Sequence, residues 1–130
     1  MKSTDGDRQI RTLTIAVEWD PEKLEQDSRK RVLDAVRNGY NGEYMTFSTA
    51  DQLFASLPPK RWTLIDSLMK SGPTSLRGLA RAVGRDVKRV HEDVASLLQD
   101  GIVERDDGKK LFVPFARIKI AFDLFPPKAA

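Results

Sequence analysis

The chain has 130 residues, 40% of them apolar and 32% charged, with a net charge of +3, one histidine and no cysteine. Disulfides, thiolate nucleophiles and thiolate metal sites are thereby excluded, and a lone His91 leaves a zinc site short of nitrogen ligands, so no metal or other cofactor is expected. The length suits one domain, or one small domain with an added arm, and no apolar run nears the ~18 residues that cross a bilayer.

The N-terminal stretch MKSTDGDRQI is polar and lacks the apolar core of a signal peptide, so the cytoplasm is the expected location and no membrane partner is expected. Residues 1–8 show no pattern and are expected to be disordered. In RTLTIAVEW, Leu13, Ile15, Val17 and Trp19 alternate with Thr12, Thr14, Ala16 and Glu18, the period of a half-buried strand. Asp20-Pro21 then opens a helix, with Asp20 as N-cap and Pro21 at the first helical position. Glu22 and Glu25 stand early in it and Arg29, Lys30, Arg31 and Arg37 later, which suits the helix dipole, and Asn38-Gly39 ends it. EYMTF (43–47) reads as a second strand, and Ser48 or Thr49 caps a brief helix running through Leu57.

Pro58-Pro59 marks a boundary. Beyond it, Trp62, Ile65, Leu68 and Met69 share one helical face, and Gly72-Pro73 breaks that helix. Thr74 or Ser75 caps the next, in which Leu76, Leu79, Ala80 and Val83 keep the i, i+3, i+4, i+7 spacing. Gly84 suits a left-handed turn, Asp86 caps a longer helix with Val87, Val90, Val94, Leu97 and Leu98 as its apolar set, and Gly101 closes it. IVERDDGKKLFVPF places two β-rich runs around Asp107-Gly108, a hairpin signal. RIKIAFDLF alternates Ile118, Ile120, Phe122 and Leu124 against polar or small neighbours, a last half-buried strand. Trp19, Trp62, Phe112, Phe115 and Phe122 all fall on expected apolar faces.

Charge is uneven. Residues 1–57 hold 8 Lys/Arg and 10 Asp/Glu, whereas residues 58–130 hold 14 and 9, a net +5. A polyanion would therefore meet the C-terminal half. Helix, break, helix, glycine turn, longer helix and hairpin is the order of a winged helix-turn-helix, in which the longer helix enters a DNA major groove. At 100° per residue, Arg85, Lys88, Arg89, Glu92 and Ser96 point away from the apolar set, with His91 and Asp93 at the flanks of the core face. Lys88 and Arg89 suit guanine, Glu92 suits cytosine, and Arg105, Lys109 and Lys110 on the hairpin suit the minor groove or flanking phosphates. Thr74, Ser75 and the N–H groups there suit one phosphate. His91-Glu92-Asp93 is no catalytic cluster, because adjacent helical residues diverge by about 100°. No catalytic residue and no enzymatic activity are expected.

The stretches PKRW (59–62), LARAVGRDVKRVHEDVASL (79–97) and LQDGIVER (98–105) resemble small MarR-like winged-helix transcriptional regulators, a group that includes antitoxins paired with TumE-type toxins. The likeness spans residues 47–124. It implies a homodimeric repressor on operator double-stranded DNA, with Lys88, Arg89 and Glu92 in the recognition helix and Arg105, Lys109 and Lys110 in the wing; the antitoxins of the group add a cognate toxin as a partner, and other regulators of similar sequence stand alone. The expected architecture is therefore α+β: an N-terminal strand–helix–strand–helix extension over 1–57, a winged helix-turn-helix over 58–115, and a C-terminal strand and tail over 116–130. The alternative is a winged-helix module that binds protein and does not recognise DNA. A dimer contact is expected to include the 118–124 strand.

Overall fold

The computed structural model describes residues 10–123; the expected disorder of residues 1–8 and the end of the last apolar stripe at Leu124 lie outside them. The fold is mixed α+β and divides into two compact units. One joins the chain up to Ala55 with the chain from Phe115 onward, and the other spans Ser56–Pro114. The N-terminal extension and the C-terminal strand, separate in the sequence, thus belong to one unit.

That unit is built on a three-stranded sheet in the order β2-β1-β5, from β1 (Thr12–Val17), β2 (Glu43–Phe47) and β5 (Arg117–Ala121). Both pairings are parallel. Leu13 lies level with Glu43 and Ile118, and Ile15 with Met45 and Ile120. The two apolar stripes at opposite ends of the chain therefore meet within one chain, and the central strand buries Leu13 and Ile15. A parallel β1–β2 pair needs a crossover connection, here α1 (Pro21–Asn38). Its ends follow the local signals: the Asp20 side chain accepts from the Glu22 N–H, and Gly39 N–H donates to the Ala35 carbonyl. The Arg31 guanidinium lies 4.1 Å from the Tyr44 ring centre, and Asn41 donates to the Arg31 carbonyl and to Asp34. α1 buries no residue completely. Trp19, expected at the end of the β1 stripe, falls beyond the strand and is 50% exposed, because the chain leaves the sheet after Val17 to begin α1. Arg11 fastens the start of the sheet by donating twice to Glu43, at 2.6 and 2.9 Å. The short α2 (Ala50–Ser56) is capped by Thr49, which accepts from the Gln52 N–H, while Gln52 accepts from the Ser48 N–H. Leu53 is its buried residue, and Phe54 meets Phe122 edge-on with ring centres 6.1 Å apart.

The second unit holds α3 (Pro59–Ser71), α4 (Leu76–Val83), α5 (Val87–Asp100) and a hairpin of β3 (Glu104–Arg105) and β4 (Leu111–Phe112). Its core joins Leu64, Ile65 and Leu68 of α3, Leu79 and Ala80 of α4, and Val90, Val94 and Leu97 of α5 to Ile102, Val103 and Leu111. The α3 face is rotated from the expected one: Leu64 is buried, whereas Met69 is 41% exposed. Gly84 and Gly101 end α4 and α5 at φ 68° and 80°, in the left-handed region where a side chain would be strained. Thr74 pairs with Leu111 through two backbone hydrogen bonds, of 3.0 and 2.7 Å, and so adds a bridge beside the hairpin.

The hairpin forms around Asp107-Gly108, where the sequence signals it. Asp106 N–H donates to the Lys110 carbonyl and Lys109 N–H to the Asp106 carbonyl, closing a three-residue loop. The left-handed residue in it is Lys109, at φ 64°. Such loops set an ordinary turn first and the positive-φ residue after it, one place beyond the glycine here.

Candidate nucleic-acid interface

The caps of α4 and α5 fix which side chains face solvent. Ser75 accepts from the Gly78 N–H, and Asp86 accepts from the Arg89 N–H. With α5 so phased, Val90, Asp93, Val94 and Leu97 point inward. Lys88, Arg89, Glu92 and His91 are exposed, and Ser96 is half-buried on the shoulder of the core. In the hairpin, Arg105, Lys109 and Lys110 are all exposed.

Asp93 is the largest departure from the expected arrangement. It does not sit at a flank; it is 3% exposed inside the second unit, where it collects three cations. Arg85 donates to one carboxylate oxygen at 2.7 Å, Arg61 Nε donates to the other at 3.0 Å, and Lys60 Nζ lies 3.9 Å away. Arg61 also donates to the Ser56 carbonyl. Burial alone would raise the Asp93 carboxyl, but the hydrogen bonds from Arg85 and Arg61 and the charge of Lys60 outweigh it and hold it below the ordinary carboxylate range. Arg85, expected to point outward with Lys88 and Arg89, therefore turns inward onto Asp93. The cause is electrostatic: a carboxylate this buried must be neutralised and hydrogen-bonded to remain ionised.

Thr74 is likewise committed. Its N–H donates to the Leu111 carbonyl, so it does not join the N–H groups expected to hold a phosphate. Its side chain closes over the α4 start instead: a Cβ on Gly78 would lie 2.6 Å from Thr74 Oγ1. Ser75 is spent on the cap.

With Lys60, Arg61 and Arg85 at Asp93 and Lys70 paired to Asp66, the remaining cations of this unit form a distinct set. Arg77, Arg81, Lys88, Arg89, Arg105, Lys109 and Lys110 are exposed and have no ion pair among the described residues. Arg77 and Arg81, one turn apart on α4, were not among the expected contact residues. Their signal in the sequence is the i, i+4 repetition of like charge, which isolated helices avoid.

Three of these cations, Arg77, Lys88 and Arg89, run against helix electrostatics, whereas Arg81 stands in the last turn of α4, where a cation is favoured. Acidic side chains are favoured in a first turn, where the dipole is positive. α1 obeys, with Glu22 in its first turn and Arg37 in its last. α5 has no acid in its first turn and carries Lys88 and Arg89 there, and α4 has no acid there and carries Arg77. Each helix start thus adds fixed positive charge to a positive dipole end, an arrangement that costs local stability and attracts anions. Among the described residues no group of three or more His, Cys, Asp or Glu side chains could hold a metal, and no helix is long and apolar enough to cross a membrane.

Comparison with known families adds one assignment. The HVO_A0114 family profile matches residues 56–120, half of the chain. The chain belongs to the HVO_A0114 family. The matched segment takes in the second unit from its first residue, together with most of β5. No curated protein and no solved structure matches the chain.

Proposed function

We propose that this protein is a sequence-specific double-stranded-DNA-binding transcription regulator that represses its own promoter as a homodimer. In this reading the second unit is a winged helix-turn-helix: α4 braces, α5 enters the major groove, and the β3–β4 hairpin is the wing. The observation that carries the reading is the unpaired positive charge on the solvent side of α4, α5 and the hairpin, of which Arg77, Lys88 and Arg89 stand at helix starts where they cost stability. Sites that break a local rule at a cost are the expected places for function.

Roles follow from exposure. Lys88 and Arg89, at the second and third positions of α5, offer donors to guanine, with Glu92 one turn on as an acceptor for cytosine. Arg77, Arg81, Arg105, Lys109 and Lys110 meet phosphates. Arg85 has no direct contact and instead holds α5 in phase through Asp93.

The test is fluorescence anisotropy with a duplex from upstream of the protein's own reading frame, against a scrambled duplex, over a range of salt. Specific binding should exceed scrambled binding by about 10³-fold or more. Lys109→Ala should lower the salt slope by about 0.9 and weaken both duplexes alike. Equal affinity for the two duplexes would refute sequence-specific recognition, and binding insensitive to salt would refute the cationic surface.

A further inference from the structure

A sheet in the order β2-β1-β5 has two edges, one along β2 and one along β5. The hydrogen bonds inside it fix which backbone groups each edge presents, because successive residues of a strand bond to opposite sides. Glu18 N–H donates to the Phe47 carbonyl, so Phe47, Met45 and Glu43 turn their backbone groups toward β1, and Tyr44 and Thr46 turn theirs outward. Ala116 N–H donates to the Arg11 carbonyl, so by the same alternation Arg117, Lys119 and Ala121 form the outer edge of β5. Among the described residues no hydrogen bond reaches the outward groups of Tyr44 or Thr46.

The two edges are guarded differently. An open row of N–H and C=O groups accepts another strand, and natural sheets protect it with charge, lysine above all. β5 is protected: laid antiparallel on a second β5 over its whole length, it sets Lys119 against Lys119 at the two-fold axis. β2, with the sequence EYMTF, has no lysine, arginine or proline. Its one charge, Glu43, is held within the chain, where it accepts from Arg11 and from the Tyr40 hydroxyl. Tyr44 is 43% exposed, with the Arg31 guanidinium over its ring. β2 is also complementary to itself. Antiparallel over its whole length, with the two-fold axis at Met45, the outward-bonding Tyr44 of each copy meets the outward-bonding Thr46 of the other. That is an aromatic–β-branched pair, a favoured cross-strand neighbour. Met45 then meets Met45, Glu43 meets Phe47, and no like charges face each other.

We propose that β2 is the self-association strand of this protein, pairing antiparallel with β2 of a second copy about a two-fold axis at Met45, so that the two sheets become one. This rests on the homodimer part of the reading above and gives it a surface, the β2 edge in place of the 118–124 strand. The pairing uses up the β2 edge of both copies and so closes at the dimer. A pair of five-residue strands buries less than the ~1,600 Å² of a standard interface, so association is expected to be weak and best read at high concentration.

The experiment uses the absence of cysteine from the chain, which lets single introduced thiols report contacts without background. In the proposed register the two Met45 residues form a non-hydrogen-bonded pair with Cα atoms about 4.5 Å apart, within the reach of a disulfide. The two Tyr44 residues lie on a diagonal beyond that reach. Met45→Cys in the full chain under mild oxidation should therefore run as a covalent dimer on a non-reducing gel, and Tyr44→Cys and Lys119→Cys should run as monomers. In sedimentation equilibrium from low to high micromolar concentration the parent should move from chain mass toward twice that mass. Thr46→Pro deletes an outward N–H, a loss that edge strands tolerate, and should weaken association at least tenfold with an unchanged circular dichroism spectrum. The cysteine variants decide the matter even if Thr46→Pro fails to fold. A parent that stays monomeric throughout overturns the homodimer reading itself and this assignment with it. A dimeric parent whose Met45→Cys variant stays unlinked overturns the β2 assignment and leaves the homodimer standing. Linkage through Lys119→Cys instead moves the contact to β5, and linkage through Tyr44→Cys as fast as through Met45→Cys overturns the register.

Discussion

Replacing Arg89 with glutamate separates stability from binding, because the two are expected to move in opposite directions. Arg89 is the third residue of α5, its side chain is exposed, and only its backbone N–H is engaged, by Asp86. An anion within the first turn gains roughly 0.3–1 kcal/mol from the dipole. Glutamate three residues after an acidic cap also lets its carboxylate reach back to the cap N–H, as in a capping box. Against this stand Asp86 and, one turn on, Asp93, and a like-charge i, i+4 pair costs roughly 0.2–0.5 kcal/mol. The net expectation is a gain between zero and about 0.5 kcal/mol, measured as the urea midpoint at unchanged m-value. On the proposed reading the same change removes a base contact of about 1–3 kcal/mol on promoter DNA and sets a carboxylate against the groove, so affinity should fall at least tenfold in anisotropy at matched salt. A loss of stability above about 1 kcal/mol would make Arg89 a structural residue and refute the helix-start argument. Undiminished DNA affinity would remove Arg89 from the interface.

The remaining expectations concern what holds the second unit together. Asp93→Ala strands Arg61 and Arg85 without their shared carboxylate and should cost about 3–5 kcal/mol in urea melts; a loss under 1 kcal/mol would mean that water screens the cluster. Asp93 and Glu43 both sit below the ordinary carboxylate range, Glu43 chiefly through the Arg11 hydrogen bonds, so the stability they contribute is present above the unfolded pKa values of about 4 and is lost as pH falls through the folded ones. Denaturant midpoints should therefore drop below about pH 4, less steeply in Asp93→Asn; an identical pH profile for parent and variant would contradict the assignment. Gly78→Ala should destabilise, because overpacking against Thr74 at about 1–3 kcal/mol outweighs the helix propensity gained, about 1 kcal/mol. In a Thr74→Ala background the same change should turn neutral or stabilising, and a loss there equal to that in the parent would refute the clash as the cause.

The sequence by itself determined the helices and their ends. Asp20-Pro21, Asn38-Gly39, Ser75, Gly84, Asp86 and Gly101 all stand where the chain starts or stops a helix, because a cap is a contract among residues three or four apart and is complete within a short window. The solvent side of α5 at Lys88, Arg89 and Glu92 was legible for the same reason. The tertiary structure alone decided Asp93 and Arg85. A period of 3.6 sets Asp93 near the apolar arc, and polarity argues it outward; only Arg61, 32 residues away in the sequence, and Arg85 make its burial affordable. That inward turn in turn removes Arg85 from the outward set. The pairing of β1 with β5 is of the same kind: two alternating stripes about a hundred residues apart carry no mark of parallel or antiparallel register, and the sheet chooses by which faces it can bury. The turn shows the limit at its smallest scale. Asp107-Gly108 announces a hairpin, but the backbone hydrogen bonds between Asp106 and Lys110 decide that Lys109 takes the left-handed conformation, because loop length and not the glycine sets where the positive φ must fall.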